Sequence, residues 1–268
     1  MINQEKIPKI IHYTWFGKSE KPKEFINNIE SLKKLLPDYQ IIEWNEDNFD
    51  VSSVLYVKNA YQEGKFAFVS DYVRLFAVYH FGGIYLDTDV LLKKDFSIFL
   101  KNDFFCSFEN SVMVNPAVFG AKKHSPHLKF LLDYYQNLTF YKNKRKKKNL
   151  LPITFLFTSY VKKLGFKLNG KTQTIGGFLL LSPSYYFPLD CVSKKLVTTL
   201  DTRGVHQYAF TWATKRHLRR DNFVRFLYKL LTRPVFTFFM RIYLKIALWL
   251  YMQKNKKRLK KIIPLVNY

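Results

Sequence analysis

The chain has 268 residues, with 44 Lys+Arg against 20 Asp+Glu and a formal net charge of +24. A hydrophobic content of 48% and an aromatic content of 18% exclude a disordered polycation, which lacks residues to bury. The length allows one large α/β domain or two small ones, and the charge calls for an anionic partner: nucleic acid, a membrane surface or a phosphorylated substrate.

In chain order, Met1 to Lys9 is polar, and Ile10-Ile11 is too short for the apolar region of a signal peptide. Lys6 to Trp15 alternates into an apolar run that ends at Gly17 and predicts a buried first strand. Pro22 to Leu36 reads as a helix with Phe25, Ile29, Leu32 and Leu36 on one face and Pro37 as its stop. Tyr39 to Trp44 is a second strand, and Ser53 to Glu63 a short helix ending at Gly64. Ala67 to Phe81 is a strong helix closed by Gly82-Gly83. Ile84 to Leu86 is a third strand running directly into Asp87. Strands alternating with helices predict a mostly parallel α/β sheet.

Beyond residue 100, Phe104 to Phe108 and Val112 to Phe119 read as strands, and Pro126 to Phe140 as a helix. Leu179 to Leu181 and Val205 to His206 read as short strands, and there is no internal repeat. Cys106 and Cys191 form no disulfide framework or thiolate cluster; they read as apolar filler in a reducing compartment. His12 and Trp44 read as core residues, and His80, His124, His127 and His217 belong to no constellation.

The charge is not evenly spread. Residues 215 to 261 hold fifteen Lys/Arg and one acid, Asp221, and the run Lys142 to Lys148 holds six more basic residues. The body is therefore nearly balanced, which argues against a nucleic-acid-binding surface on it. Arg225, Lys229, Arg233, Thr237, Arg241 and Lys245 recur every four residues and form one polar stripe on a helix. Phe236, Phe239, Tyr243, Ile246 and Leu250 face elsewhere, with Trp249 near the end and a break expected at Pro234. Pro234 to Met252 is the one long apolar stretch, but a central cation costs about 2.5–3.5 kcal/mol on insertion, which disfavours spanning. The pattern fits a basic amphipathic helix lying on anionic lipid, or a C-terminal helix packed on its own domain. The expected organisation is a catalytic body over 1–214 and a membrane-associating helical tail over 215–268, with residues 222–261 meeting the membrane.

Two features of Ser70 to Leu92 carry chemistry. Asp87-Thr88-Asp89 ends an apolar strand, and alternate residues of a strand share a face, so both carboxylates are expected to point the same way. Ligands of open α/β sheets bind at the carboxyl ends of strands, and paired hard oxygens there suit Mg²⁺ or Mn²⁺. Asp71 and Arg74 share one face of the preceding helix at i,i+3. Apolar neighbours on that helix make the pair buried rather than a surface ion pair.

These motifs are identified as those of a known family. Ile7 to Gly17, Ile41-Ile42-Glu43-Trp44-Asn45, Ser70-Asp71-Tyr72-Val73-Arg74 and Gly82 to Asp89 follow in the order seen in the family 32 glycosyltransferases, the group with the DXD sugar-binding region. The match is dense over residues 6 to 120. The resemblance implies a GT-A fold, Rossmann-like and of a single nucleotide-sugar-binding domain, and retaining transfer of a hexose from a nucleotide-sugar. UDP-hexose is the expected donor, with GDP-mannose as the other. By the same resemblance Trp15 lies by the nucleotide base, and Asp71 and Arg74 hold the donor sugar and diphosphate. Asp87 contacts ribose or sugar, and Asp89 ligates the metal, Mn²⁺ or Mg²⁺. Asn115, in Val114-Asn115-Pro116-Ala117, lines the donor sugar. His206 is a metal or phosphate ligand, and Thr211-Trp212 stands where relatives carry Ser-Trp, with Trp212 offering its indole N–H to phosphate.

Bacterial members of this kind often extend a lipid-linked oligosaccharide in capsule, exopolysaccharide or O-antigen synthesis. The expected place is therefore the cytoplasmic face of the cell membrane, with the tail holding the enzyme there. The competing readings are an inactive transferase, a nucleic-acid-binding basic protein with an incidental DXD, and a haloacid-dehalogenase-type phosphatase. The last wants Thr or Val where Leu91 stands.

Overall fold

The computed structural model describes residues 6–141, 148–150, 152–209 and 215–256. The first strand, β1 (Ile10–Thr14), is flanked in parallel by β2 (Gln40–Trp44) and β3 (Gly83–Leu86). The helix α1 (Lys23–Leu35) crosses from β1 to β2. Two helices, α2 (Leu55–Gln62) and α3 (Phe66–Phe81), lead to β3. The C-cap of α3 is Gly82 at φ 69°, and Gly83 follows at φ 101°. A Cβ on Gly83 would lie 2.4 Å from the Ile10 carbonyl oxygen, so the double glycine lets β3 come up against β1.

After β3 the chain makes β4 (Val90–Leu92), β5 (Phe104–Phe108), β6 (Val114–Ala121) and the helices α4 (Pro126–Gln136) and α5 (Ile153–Lys163). Next come β7 (Gln173–Ile175), β8 (Phe178–Leu181) and β9 (Gly204–His206). The main sheet has seven strands in the order β2-β1-β3-β6-β5-β8-β7, and β4 and β9 form a separate two-stranded sheet. Strand β6 runs antiparallel to both β3 and β5, and β7 runs antiparallel to β8. The sheet is therefore mixed, which corrects the mostly parallel expectation. Only residues 109–113 separate β5 from β6, and a connection that short closes a hairpin rather than a crossover.

Alternation along the strands feeds two cores. Tyr85, Phe104, Cys106 and Phe119 pack with α2, α3, α4 and α5 on one face. Ile84, Leu86, Phe105 and Val118 pack with Leu32 and Leu36 on the other. The result is a three-layer α/β architecture with helices on both faces of a mixed sheet. His12 and Trp44 sit in its core as expected. Trp44 Nε1 donates to His12 Nδ1 at 3.1 Å, and His12 Nε2 lies 2.8 Å from the Gly82 carbonyl.

The C-terminal segment forms α6 (Lys215–Leu230) and α7 (Arg233–Lys254), broken at Leu231-Thr232 just before Pro234. One face of α7 docks on the body: Phe236, Leu248 and Tyr251 are buried, and the Tyr251 hydroxyl lies 3.3 Å from that of Tyr134. The opposite face is apolar and exposed, with Phe238 at 59%, Phe239 at 57% and Trp249 at 55% exposure. By length and composition Pro234–Lys254 could cross a membrane.

Candidate active site

Leu86 is the last residue of β3, and the Val90 N–H donates to the Asp87 carbonyl at 3.0 Å. Asp87-Thr88-Asp89 therefore occupies a turn, not the strand end that alternation would require. It is the turn, pinned by β4 on β9, that brings the two carboxylates to one side. Val90 pairs with His206 in that ladder, so His206 stands directly beside the turn. One ligand atom each from Asp87, Asp89 and His206 falls within 4.8 Å of the others.

Behind the turn lies a buried charge cluster. Asp71 and Arg74 of α3 are 8% and 7% exposed. Arg74 Nη2 is 3.2 Å from Asp71 Oδ1, and its Nη1 is 3.2 Å from Asp87 Oδ1 and donates to the Pro116 carbonyl at 3.1 Å. The guanidinium also stacks over Tyr85, 4.6 Å from the ring centroid. Tyr85 in turn donates its hydroxyl to Asp87 at 2.8 Å and meets Thr14 Oγ1 at 3.0 Å. Burial pushes the Asp71 carboxyl up to about 7 against the pull of the Arg74 charge. The Asp87 carboxyl is also raised, chiefly by burial, with Arg74 opposing and Asp89 adding to the shift.

Asp89 is held from the other side. Its Oδ2 accepts from the Ala209 N–H at 3.0 Å, and its Oδ1 lies 3.5 Å from His206 Nε2. Tyr208 has φ 55°, and this left-handed residue turns the backbone so that the next N–H meets Asp89. Tyr208 also packs edge-on against His206 at 4.4 Å.

These residues fit a divalent cation. Asp71 and Asp87 share one guanidinium and Asp89 adds a third carboxylate, so the cluster has an excess of negative charge, and its donors are hard oxygens with one imidazole. His206 Nδ1 is buried and has no hydrogen-bond partner among the described residues.

The other expected residues fall as follows. Trp15 follows β1 at the same carboxyl edge and is half-buried; its indole N–H donates to the Ser19 carbonyl at 2.7 Å. Asn115 opens β6 at that edge, and its Oδ1 accepts from the Ala117 N–H at 3.0 Å. Thr211 and Trp212 lie outside the described residues.

Three further residues were not anticipated. Glu109, at the end of β5, faces Tyr208, Asn115 and His206, and burial raises its carboxyl. Asn28 is buried on the apolar face of α1; its amide donates to the Thr88 carbonyl at 3.0 Å and to Gln207 at 2.8 Å. A polar residue one turn from Phe25 and Leu32 is a legible sign of a specific partner. Tyr85 orients Asp87 and could have been read from its place two residues before it.

Comparison with known proteins agrees with this geometry. Residues 22–107 match the family described as glycosyltransferase sugar-binding region containing DXD motif. Inositol phosphoceramide mannosyltransferase 3 of Schizosaccharomyces pombe is 30% identical over 136 residues, which is 49% of this chain and 37% of that protein. Inositol phosphoceramide mannosyltransferase 2 of the same yeast is 28% identical over 59% of this chain and 48% of its own length. The solved PaToxG glycosyltransferase covers 60% of this chain and 70% of its own, at TM-score 0.49 and 19% identity. The chain spans less than half the length of the curated relatives it matches. The matched region contains both α3 and the DXD turn, so the similarity falls on the residues that build the site. That match spans about a third of the chain, so what the chain is similar to is the sugar-binding region itself.

Proposed function

We propose that the protein is a divalent-metal-dependent, retaining glycosyltransferase that moves a hexose from a nucleotide-sugar to a lipid-borne acceptor at an anionic membrane. The observation that carries this reading is the meeting of Asp87, Asp89 and His206 beside the buried Arg74. A divalent ion held by Asp89, Asp87 and His206 would supply a Lewis acid for the departing diphosphate. Arg74 adds a fixed positive charge that needs no reorganisation as the anomeric bond breaks. In this reading Asp71 accepts from donor hydroxyls, and Tyr85 holds Asp87 in orientation. The departing phosphate takes the proton of the acceptor hydroxyl on the same face.

The relatives named as inositol phosphoceramide mannosyltransferases favour mannose among hexoses and a phosphate-bearing lipid as acceptor. The exposed apolar face of α7 with its border of cations supports the membrane part of the proposal. The tail from residue 215 is the membrane-associating unit, working on the cytoplasmic face. Hydrolysis of a panel of UDP- and GDP-sugars with Mn²⁺ tests the proposal. One donor should be turned over in a metal-dependent way; no turnover of any donor, or turnover unaffected by chelation, would contradict it.

A further inference from the structure

The cations of α7 are not equivalent. Pro234 and Phe238, and Thr237 and Arg241, stand four residues apart on one side of α7, and the four line an open groove of about 480 Å³. Arg241 stands at the border between the docked face and the exposed apolar face. Its Nε donates to Ser111 Oγ at 2.8 Å. Among the described residues it meets no carboxylate, and its two terminal amino groups make no hydrogen bond. The anchor fixes the plane of the guanidinium while leaving its fork open.

Ser111 lies in the β5–β6 loop, which is held firmly. Glu109 N–H donates to the Met113 carbonyl at 2.8 Å, and Asn110 Oδ1 accepts from the N–H groups of Val112 at 2.9 Å and Met113 at 3.0 Å. Gly170 presses on the loop; a Cβ there would sit 2.9 Å from Ser111 Cα. The same loop carries Glu109, which faces His206 and Asn115. Two residues of chain span at most about 7 Å, so the Arg241 anchor lies within a sugar unit or two of the catalytic edge.

We infer that the Arg241 groove, with Ser111 as its anchor, is the acceptor subsite for the phosphate of a membrane lipid, whose chains lie along Phe238 and Ile242 and whose head group reaches toward Glu109 and Asn115. The inference rests on the lipid-acceptor reading above. A planar fork matches a phosphate bidentately, whereas the ammonium of Lys245 would act only as a point charge.

The test uses the full chain and a soluble probe, dihexanoyl phosphatidylinositol kept monomeric, with inorganic phosphate in a parallel titration. Arg241→Lys keeps the charge but loses both the fork and the Ser111 anchor. It should weaken the lipid probe by about tenfold, and Ser111→Ala by a few-fold. Binding of Arg241→Lys to phosphatidylcholine vesicles doped with phosphatidylserine should stay within about twofold of wild type, because the retained charge and the apolar area of α7 dominate it over any single phosphate contact. Unchanged probe affinity in Arg241→Lys, with vesicle binding intact, would overturn the subsite and leave the membrane reading standing. Failure of wild type to bind these vesicles would overturn both. Inorganic phosphate binding as tightly as the lipid probe would mark a free-phosphate site and also overturn the inference.

Discussion

The carboxyl edge of the sheet and the helix α7 reverse each other's rules. At the edge, ionic groups are buried: Asp71 and Arg74 are almost inaccessible, and Asp87 and Asp89 are half-covered. On α7, aromatic and aliphatic side chains are exposed along a whole face. Each departure is tolerated only because something is expected to complete it. Buried carboxylates in excess of their guanidinium call for a cation, and an exposed apolar face bordered by cations calls for lipid. The two regions meet at the β5–β6 loop, through Glu109 on one side and Ser111 on the other.

The contrast can be broken most severely at Arg74. Arg74→Ala leaves Asp71 and Asp87 buried without their cation. Chemical denaturation should show a loss of about 3–5 kcal/mol, and turnover should vanish with it. If stability changed by less than about 1 kcal/mol, the charge cluster would not be the buried network described. Asp89→Ala should abolish transfer while the melting temperature stays close to wild type, since the Asp89 charge repels that of Asp87 and its removal relieves the excess of negative charge. Full turnover in saturating Mn²⁺ would remove it from the site.

Smaller effects sharpen the contrast. Glu109→Gln should lower turnover by about 10–100-fold, as groups that orient ligands do, with the fold retained. A change in protein melting without a change in turnover would make Glu109 a packing residue. On α7, replacing Phe238 and Trp249 by Ser should weaken vesicle binding by about tenfold each, with donor hydrolysis unaltered. Hydrolysis falling in step with vesicle binding would mean that α7 supports the catalytic body directly.

Acid should separate the regions with the least effect. Burial lowers His12 and His127 from 6.5 to about 4. The stability of their neutral forms is present above about pH 6.5 and is lost as pH falls toward about 4. The α7 helix has no Asp, Glu or His between residues 233 and 254. In calorimetry the advantage of wild type over His127→Phe should shrink across that range, while vesicle binding holds. An advantage that grows on acidification would reverse the assigned direction.

Much of the chemistry was legible because it is local. Asp87-x-Asp89 and Asp71/Arg74 are short-range patterns, and α3 with its double glycine fixes where they lie. What escaped depends on partners far away in sequence. The shared direction of the two carboxylates comes from a turn clamped by β9, more than a hundred residues later, not from strand alternation. Glu109 and Tyr208 gain meaning only when β5 and β9 end side by side. The helix α5, ITFLFTSYVKK, has a β-branched and aromatic composition that hides its period until it packs on β6. The tail was read as amphipathic from its four-residue stripe, but that stripe alone does not say which side docks. Phe236 turned inward, while Phe239, Tyr243, Ile246 and Leu250 remained outside.

Metal-linked recognition of a nucleoside diphosphate is the central claim, and calorimetric titration of UDP and GDP with and without Mn²⁺ tests it most directly. Wild type should bind one of the two tightly only with the metal, and Asp89→Asn should lose that dependence and most of the affinity. Equal binding with and without Mn²⁺, or an Asp89→Asn protein that still binds in a metal-dependent manner, would contradict the account.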